Sequence, residues 1–192
     1  MSTLIGVAVL PNGTDLPSTL APLGVTLRGS ARGERGVFVH VDSWHRAQTL
    51  APRISAATKG TVFSVLTQTS ADVYVVGEYA AGELLRQISF DRDQGGWLPP
   101  IGAPRPWETD FHLALPVDEF LDRMADEDDR SDDDLDAGRR AHQARKLDQL
   151  PRLPAASDAQ IHAFLTGLGI DLREEATARC RKPGILQKLF GR

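Results

Sequence analysis

Three runs of β-branched and aromatic residues, Thr61 to Gln68, Ala71 to Tyr79 and Leu84 to Phe90, succeed one another with only short polar turns between them. A parallel crossover needs about a dozen residues or more, so these runs can pair only as an antiparallel meander. In the third run Leu84, Ile88 and Phe90 share one face with Arg86, and Leu85, Gln87 and Ser89 share the other. The first face is expected to meet the core, with Arg86 near an edge or paired with an acid.

The stretch after the meander is rich in proline and tryptophan. Asp91 to Gly96 is a turn, and Trp97 to Trp107 contains Pro99, Pro100, Pro104 and Pro106. Each proline removes a ladder donor, which excludes a central strand and leaves an extended segment clamped over the sheet by its two tryptophans. Trp97, Arg105 and Trp107 are also the residue types that anchor protein interfaces, so they are candidate partner-binding residues. The alternative is that both rings simply roof the sheet.

Upstream, Leu4 to Leu10 is a strand stopped by Pro11-Asn12-Gly13. Pro17 and Pro22 restrict any helix in Thr14 to Leu23 to a turn or two, Val25 to Leu27 forms a short strand, and Arg28 to Gly36 is a hairpin loop. Val37 to Val41 is a strand. Asp42 or Ser43 then caps a helix from Trp44 towards Lys59, with Trp44, Ala47, Leu50, Ile54 and Ala57 at helical spacing. Pro52 should kink or split it, and Gly60 ends it. Downstream, Phe111 to Leu115 is expected as a last strand. Pro116 then opens a helix with an apolar face of Val117, Phe120, Leu121 and Met124.

Composition changes abruptly at Ala125. Eight of the eleven residues from Asp126 to Asp136 are acidic, which predicts a mobile linker or a frayed helix extension. Ala137 to Leu150 is a helix former broken by Pro151 and Pro154. Ser157 caps another helix with Ile161, Phe164, Leu165 and Leu168 on one face and Gly169 as its stop. A further helical stretch, Asp171 to Arg181, leads to the basic tail Ile185 to Arg192. That tail is too short to hold on a membrane alone, and docking on the domain or in a partner's groove is expected instead. The chain is thus expected to be α+β: an antiparallel meander with one or two packed helices over residues 1–124, an acidic linker over 125–136, and a helical C-terminal region over 137–192.

The formal charge of -4 argues against a nucleic-acid binder. One cysteine, Cys180, rules out an intramolecular disulfide, which suits a reducing compartment. The N-terminal apolar run has no basic residue before it and reads as a strand, not a signal or a span, so a cytoplasmic location is expected.

No motif for chemistry emerges. Asp132, Asp134 and Asp136 alternate like the start of a calcium loop, but the glycine and acid such a loop requires are replaced by Ala137 and Gln143. The histidines lack zinc-ligand spacing. Cys180 has basic neighbours but no paired base. Gly29, Gly33 and Gly36 precede a strand, where no helix N-terminus can hold a phosphate. Neither a metal nor a cofactor is expected. An enzyme would need a cleft gathering His40, Asp42, His45 and Asp91.

The pattern Arg86-x-Ile88-x-Phe90, Gly96-Trp97 and Gly102-x-Pro104-x-Pro106-Trp107-Glu108 resembles one in small stand-alone bacterial proteins of unassigned function, some of them similar to immunity proteins of polymorphic toxin systems. The resemblance implies a cytosolic α+β protein that blocks a partner by binding it, and it implies no catalytic residue. Together with the clustered negative charge, the expectation is a non-catalytic protein-binding module, an immunity- or antitoxin-type inhibitor. It would meet a basic protein partner through Trp97, Arg105, Trp107 and the acids Asp128, Asp129, Asp132, Asp133 and Asp134. The alternative is a structural or adaptor subunit of a bacterial assembly that docks through its C-terminal helices.

Overall fold

The computed structural model describes residues 3–10, 16–24, 31–32, 36–126, 130–150, 153–170 and 172. In chain order, β1 (Thr3–Leu10), a short helix α1 (Leu16–Leu20), β2 (Ala31–Arg32) and β3 (Val37–His40) lead into the long helix α2 (Trp44–Thr58). The meander β4 (Thr61–Gln68), β5 (Val73–Ala80) and β6 (Glu83–Asp91) comes next, then the two-residue β7 (Gly96–Trp97). Four helices complete the described chain: α3 (Trp107–His112), α4 (Val117–Ala125), α5 (Asp132–Ala144) and α6 (Asp158–Gly167). The fold is α+β, with seven strands in the order β2-β3-β1-β4-β5-β6-β7 and every ladder antiparallel.

Strands β3 and β4 both pair antiparallel with β1, so they run parallel to each other and need a crossover. Helix α2 provides it. Ser43 caps its start, accepting from the Arg46 N–H, and its stripe of Ala47, Leu50, Ala51 and Ile54 packs on Val7, Val9, Val39 and Val62. Alternation along β1 sends Ala8 to the opposite face. There it joins Phe63, Val65, Val76, Ile88 and Phe90 beneath Trp107 and Phe111 of α3 and Ile161, Phe164 and Leu165 of α6. The sheet is therefore covered on both faces, which is why Val62 to Thr67 of β4 are all buried. Helices α4 and α5 close a smaller cluster of Phe120, Leu121 and Met124 with Leu113 and Leu115.

Several expectations need correction. Phe111 to Leu115 is not a strand. Helix α3 runs to His112, because Trp107 and Phe111, one turn apart, both reach the sheet only on a helix. Pro52 does not split α2, which is continuous from Trp44 to Thr58. The carbonyl that its missing N–H would have bound belongs to Gln48, an exposed residue that water can serve. The acidic segment is not a linker throughout. Helix α4 extends to Ala125, and α5 starts at Asp132 behind a capping box in which Ser131 and Asp134 bond each other's backbone N–H. Asp132, Asp133 and Asp134 form its first turn, where the helix dipole favours negative charge. The helix expected over Ala137 to Leu150 thus starts earlier and ends at Ala144. Val25 to Leu27, Cys180 and the basic tail lie outside the described residues, as do Asp128 and Asp129.

The region beyond residue 137 is part of the main core rather than a separate helical unit. Phe164 packs its ring against Phe63 at 5.6 Å, Phe111 at 5.5 Å and Trp107 at 5.7 Å. Phe164→Ala should lower the unfolding free energy by about 3–5 kcal/mol. Urea denaturation followed by both near- and far-UV circular dichroism should show one shared transition. Two separate transitions would mean that α6 folds as an independent unit.

Candidate functional site

The face of the sheet beneath α3 carries a buried charge cluster. Glu78 on β5 lies directly across from Arg86 on β6, and both are buried. The two do not serve as each other's principal partners. Glu78 accepts from Arg105 Nε at 2.8 Å and Nη2 at 3.0 Å, and from the Trp107 indole N–H at 2.6 Å. Arg86 donates Nη2 to Glu108 at 2.6 Å and Nη1 to the Gly102 carbonyl. Glu108 also accepts from the Arg105 backbone N–H. Two carboxylates and two guanidinium groups thus balance in charge.

These contacts hold the proline segment down. Leu98 N–H donates to the Ser89 carbonyl, and Ile101 and Gln87 exchange both backbone bonds at 3.0 Å. Residues 97–101 therefore lie along β6 as an edge, the one position in a sheet where Pro99 and Pro100 are tolerated. Gly102 has a φ of 80°, and a Cβ there would run into the Leu85 carbonyl, so the chain can turn towards Arg105 only through glycine. The arginine, the glycines, the tryptophans and the glutamate singled out in the sequence pattern form one clamp.

His112 sits at the inner end of this cluster. Its ring meets Trp97 at 4.9 Å and Phe111 at 5.1 Å. It is buried, and its pKa is held down to about 4 from an ordinary 6.5, first by burial and then by the Arg86 charge.

The candidate partner-binding residues are distributed unevenly. Trp107 is only 8% exposed, so its ring belongs to the core and is not a surface anchor. Arg105 keeps 40% of its side chain exposed but is held bidentate by Glu78. Trp97 is half-buried and donates Nε1 to the Pro154 carbonyl at 2.9 Å. Asp134 is engaged in the α5 cap, whereas Asp132 and Asp133 are exposed. Sequence reasoning misses Glu78, and it names Glu108 only as part of the pattern, without assigning it to Arg86. The signal for Glu78 is a single acid inside the apolar run VYVVGEYA, which must be paired if buried.

Further acidic residues gather on the α4–α5 hairpin. Asp118, Glu119, Asp122 and Asp126 are exposed on α4 and at its end, and Asp132, Asp133 and Asp136 on α5. The arginines between them turn inward. Arg123 Nη2 donates to the Ala156 carbonyl at 3.2 Å and Arg130 Nη2 to the Leu153 carbonyl at 3.3 Å. Among the described residues of the hairpin these exposed acids outnumber the exposed Arg139 and Arg140, so its surface is net negative.

The residues an enzyme would have needed together are not brought together. His40 is on β3 and Asp91 ends β6, with β1, β4 and β5 between their strands, a separation of about 19 Å at the usual strand spacing. Asp91 caps its own turn, and Asp42 pairs with Arg46 at 3.2 Å. Among the described residues no cluster of His, Cys, Asp or Glu is placed to hold a metal ion, and no helix is long and apolar enough to cross a membrane.

The fold and surface define an α+β protein with a two-faced antiparallel sheet and an acidic helical hairpin. No family model matches the chain, and no characterised protein or solved structure is significantly similar to it.

Two predictions test the cluster. Glu108→Ala should cost about 3–5 kcal/mol, because it strands the buried Arg86 charge. The Arg86→Met, Glu108→Leu double variant should recover most of that loss in equilibrium urea unfolding. A loss in the double variant equal to the sum of the losses in its two single variants would show that the pair is not coupled. The second concerns pH. The folded pKa of His112 lies below its unfolded value, so its contribution is fully present above pH 6.5 and is lost as the pH falls towards 4. The loss amounts to about 3 kcal/mol. His112→Phe should flatten this part of the acid limb. An unchanged limb would place the proton uptake on another group.

Proposed function

We propose that this chain is a non-catalytic protein-binding module, an immunity- or antitoxin-type inhibitor that engages a basic partner. The observation carrying this reading is the acidic face of the α4–α5 hairpin, where, among the described residues, the exposed Asp118, Glu119, Asp122, Asp126, Asp132, Asp133 and Asp136 outnumber the exposed Arg139 and Arg140. A surface of one sign steers an oppositely charged partner and raises its association rate. The carboxylates of the buried cluster support the same reading, since Glu78 and Glu108 spend their acceptor capacity on holding the fold. An adaptor docking through its C-terminal helices is less well supported. Helix α6 uses its apolar face in the main core, and it cannot present that face to another subunit at the same time.

Replacing Asp122, Asp126, Asp133 and Asp136 together by asparagine tests the proposal. These side chains are exposed, and relief of mutual repulsion offsets the loss of Asp133's favourable interaction with the α5 dipole, so the melting temperature should change little. The full chain, immobilised, should capture a basic protein from native lysate. The variant should bind that protein about tenfold more weakly or worse at low salt, with the difference shrinking as salt rises. A captured partner bound equally by both forms, or indifferent to salt, would refute the charge-based reading.

A further inference from the structure

The acidic face does not stand alone. Beside it lies a cleft of about 470 Å³ at the end of β6. Phe90 and Trp97 form its aromatic floor, with ring centroids 5.4 Å apart and the rings edge to face. Leu153 and Ala155 form one wall. The other wall is the backbone of Gly95 and Gly96, whose φ angles of 91° and 108° exclude side chains that would fill the space. The indole cannot swing shut, because its Nε1–H is tied to the Pro154 carbonyl.

Among the described residues that line this cleft, Arg92 carries the one charge. Arg92, at the mouth, is 67% exposed and spends Nε on Asp72 at 2.9 Å. Its Nη groups have no partner among the described residues, so they can donate to a neutral acceptor such as a main-chain carbonyl. An apolar floor with one donor at its rim fits an uncharged aromatic or bulky aliphatic side chain better than an ion.

The link to the acidic face is short. The wall segment 153–156 is the one that receives both hairpin arginines: Arg130 bonds the Leu153 carbonyl and Arg123 the Ala156 carbonyl. The loop that shapes the cleft is thus strapped to the helices that carry the exposed acids. A basic segment lying on the hairpin can therefore reach the cleft.

We propose that the Phe90–Trp97–Leu153–Ala155 cleft is the anchor pocket for an aromatic or bulky apolar side chain of a basic partner segment, whose cationic residues lie on the adjoining acidic hairpin. This rests on the basic-partner reading and adds to it what the partner must carry: an apolar anchor within its basic stretch. Interfaces usually concentrate their binding energy in such a desolvated pocket, while surrounding charges set rate and register.

Two short synthetic peptides rich in lysine and arginine, one with a central phenylalanine and one with alanine in its place, separate the contributions. Titrations are followed by the Trp97 indole N–H resonance, assigned with Trp97→Phe, and by calorimetry. The phenylalanine peptide should shift that resonance and bind at least about tenfold more tightly. Ala155→Leu, which fills the cleft, should erase the difference while leaving the weaker, salt-sensitive binding in place. Equal affinities with an unmoved Trp97 resonance would overturn the anchor pocket and leave the acidic-face reading standing. A phenylalanine-peptide affinity unchanged by the asparagine substitutions on the hairpin would keep the pocket and overturn the charge reading. No binding of either peptide would overturn both.

Discussion

A carboxylate in the middle of a buried strand has to be paired, and Glu78 takes its partners from residues 27 and 29 positions further along the chain. Much of the remaining architecture depends on that requirement. To reach Glu78, the segment after β7 must run back along β6, turn at Gly102 and deliver Arg105 and Trp107 to the sheet. The same turn brings Glu108 over Arg86, so that the second buried charge is paired by the residue next to the tryptophan. Once Trp107 is placed, α3 continues from it, and its next turn lays Phe111 onto the sheet beside Phe164. One long-range pairing thus orders the strap, the helix and the aromatic layer.

This arrangement also separates what stabilises the protein from what it offers to others. The charges of the cluster, Glu78, Arg86 and Glu108 buried and Arg105 partly exposed, are neutral as a group. A neutral cluster of this kind adds modestly to stability when intact but penalises any alternative in which one member is left alone, so it favours a single position for the strap. Net negative charge is left on the α4–α5 hairpin, where exposed acids outnumber the exposed Arg139 and Arg140 among the described residues. Arg123 and Arg130 tie that hairpin to the loop at 153–156. The result is a firm scaffold with an acidic surface and an adjoining apolar cleft, the division expected of a binding module whose contacts must be prepared in advance.

The Trp97 indole illustrates how one residue serves both purposes. Its edge packs on Phe90 and His112 within the core, its nitrogen is pinned to Pro154, and part of its surface lines the cleft. Trp107, equally conspicuous in the sequence, is committed entirely to the interior. The two tryptophans are indistinguishable by composition. They differ because one is on an edge strand and the other is on a helix that faces the sheet.

The meander, the Ser157 cap and the amphipathic stripes of α2, α4 and α6 were legible in the sequence, because alternation, helical spacing and capping are local and act within a few residues. The α2 cap was legible only as Asp42 or Ser43, and Arg86 only as near an edge or paired with an acid. Tertiary structure alone decided the rest. It made Phe111 and His112 helical, since only a helix lets Trp107 and Phe111 touch the sheet together. It kept α2 whole through Pro52, because the carbonyl left free faces water. The start of α5 in the acidic stretch is the exception, since the capping box of Ser131 and Asp134 that sets it is a local signal that charge composition masked. Tertiary structure also chose Arg105 for Glu78 and Glu108 for Arg86, a choice among several acids and bases that depends on how the chain folds back and leaves no trace in local pattern.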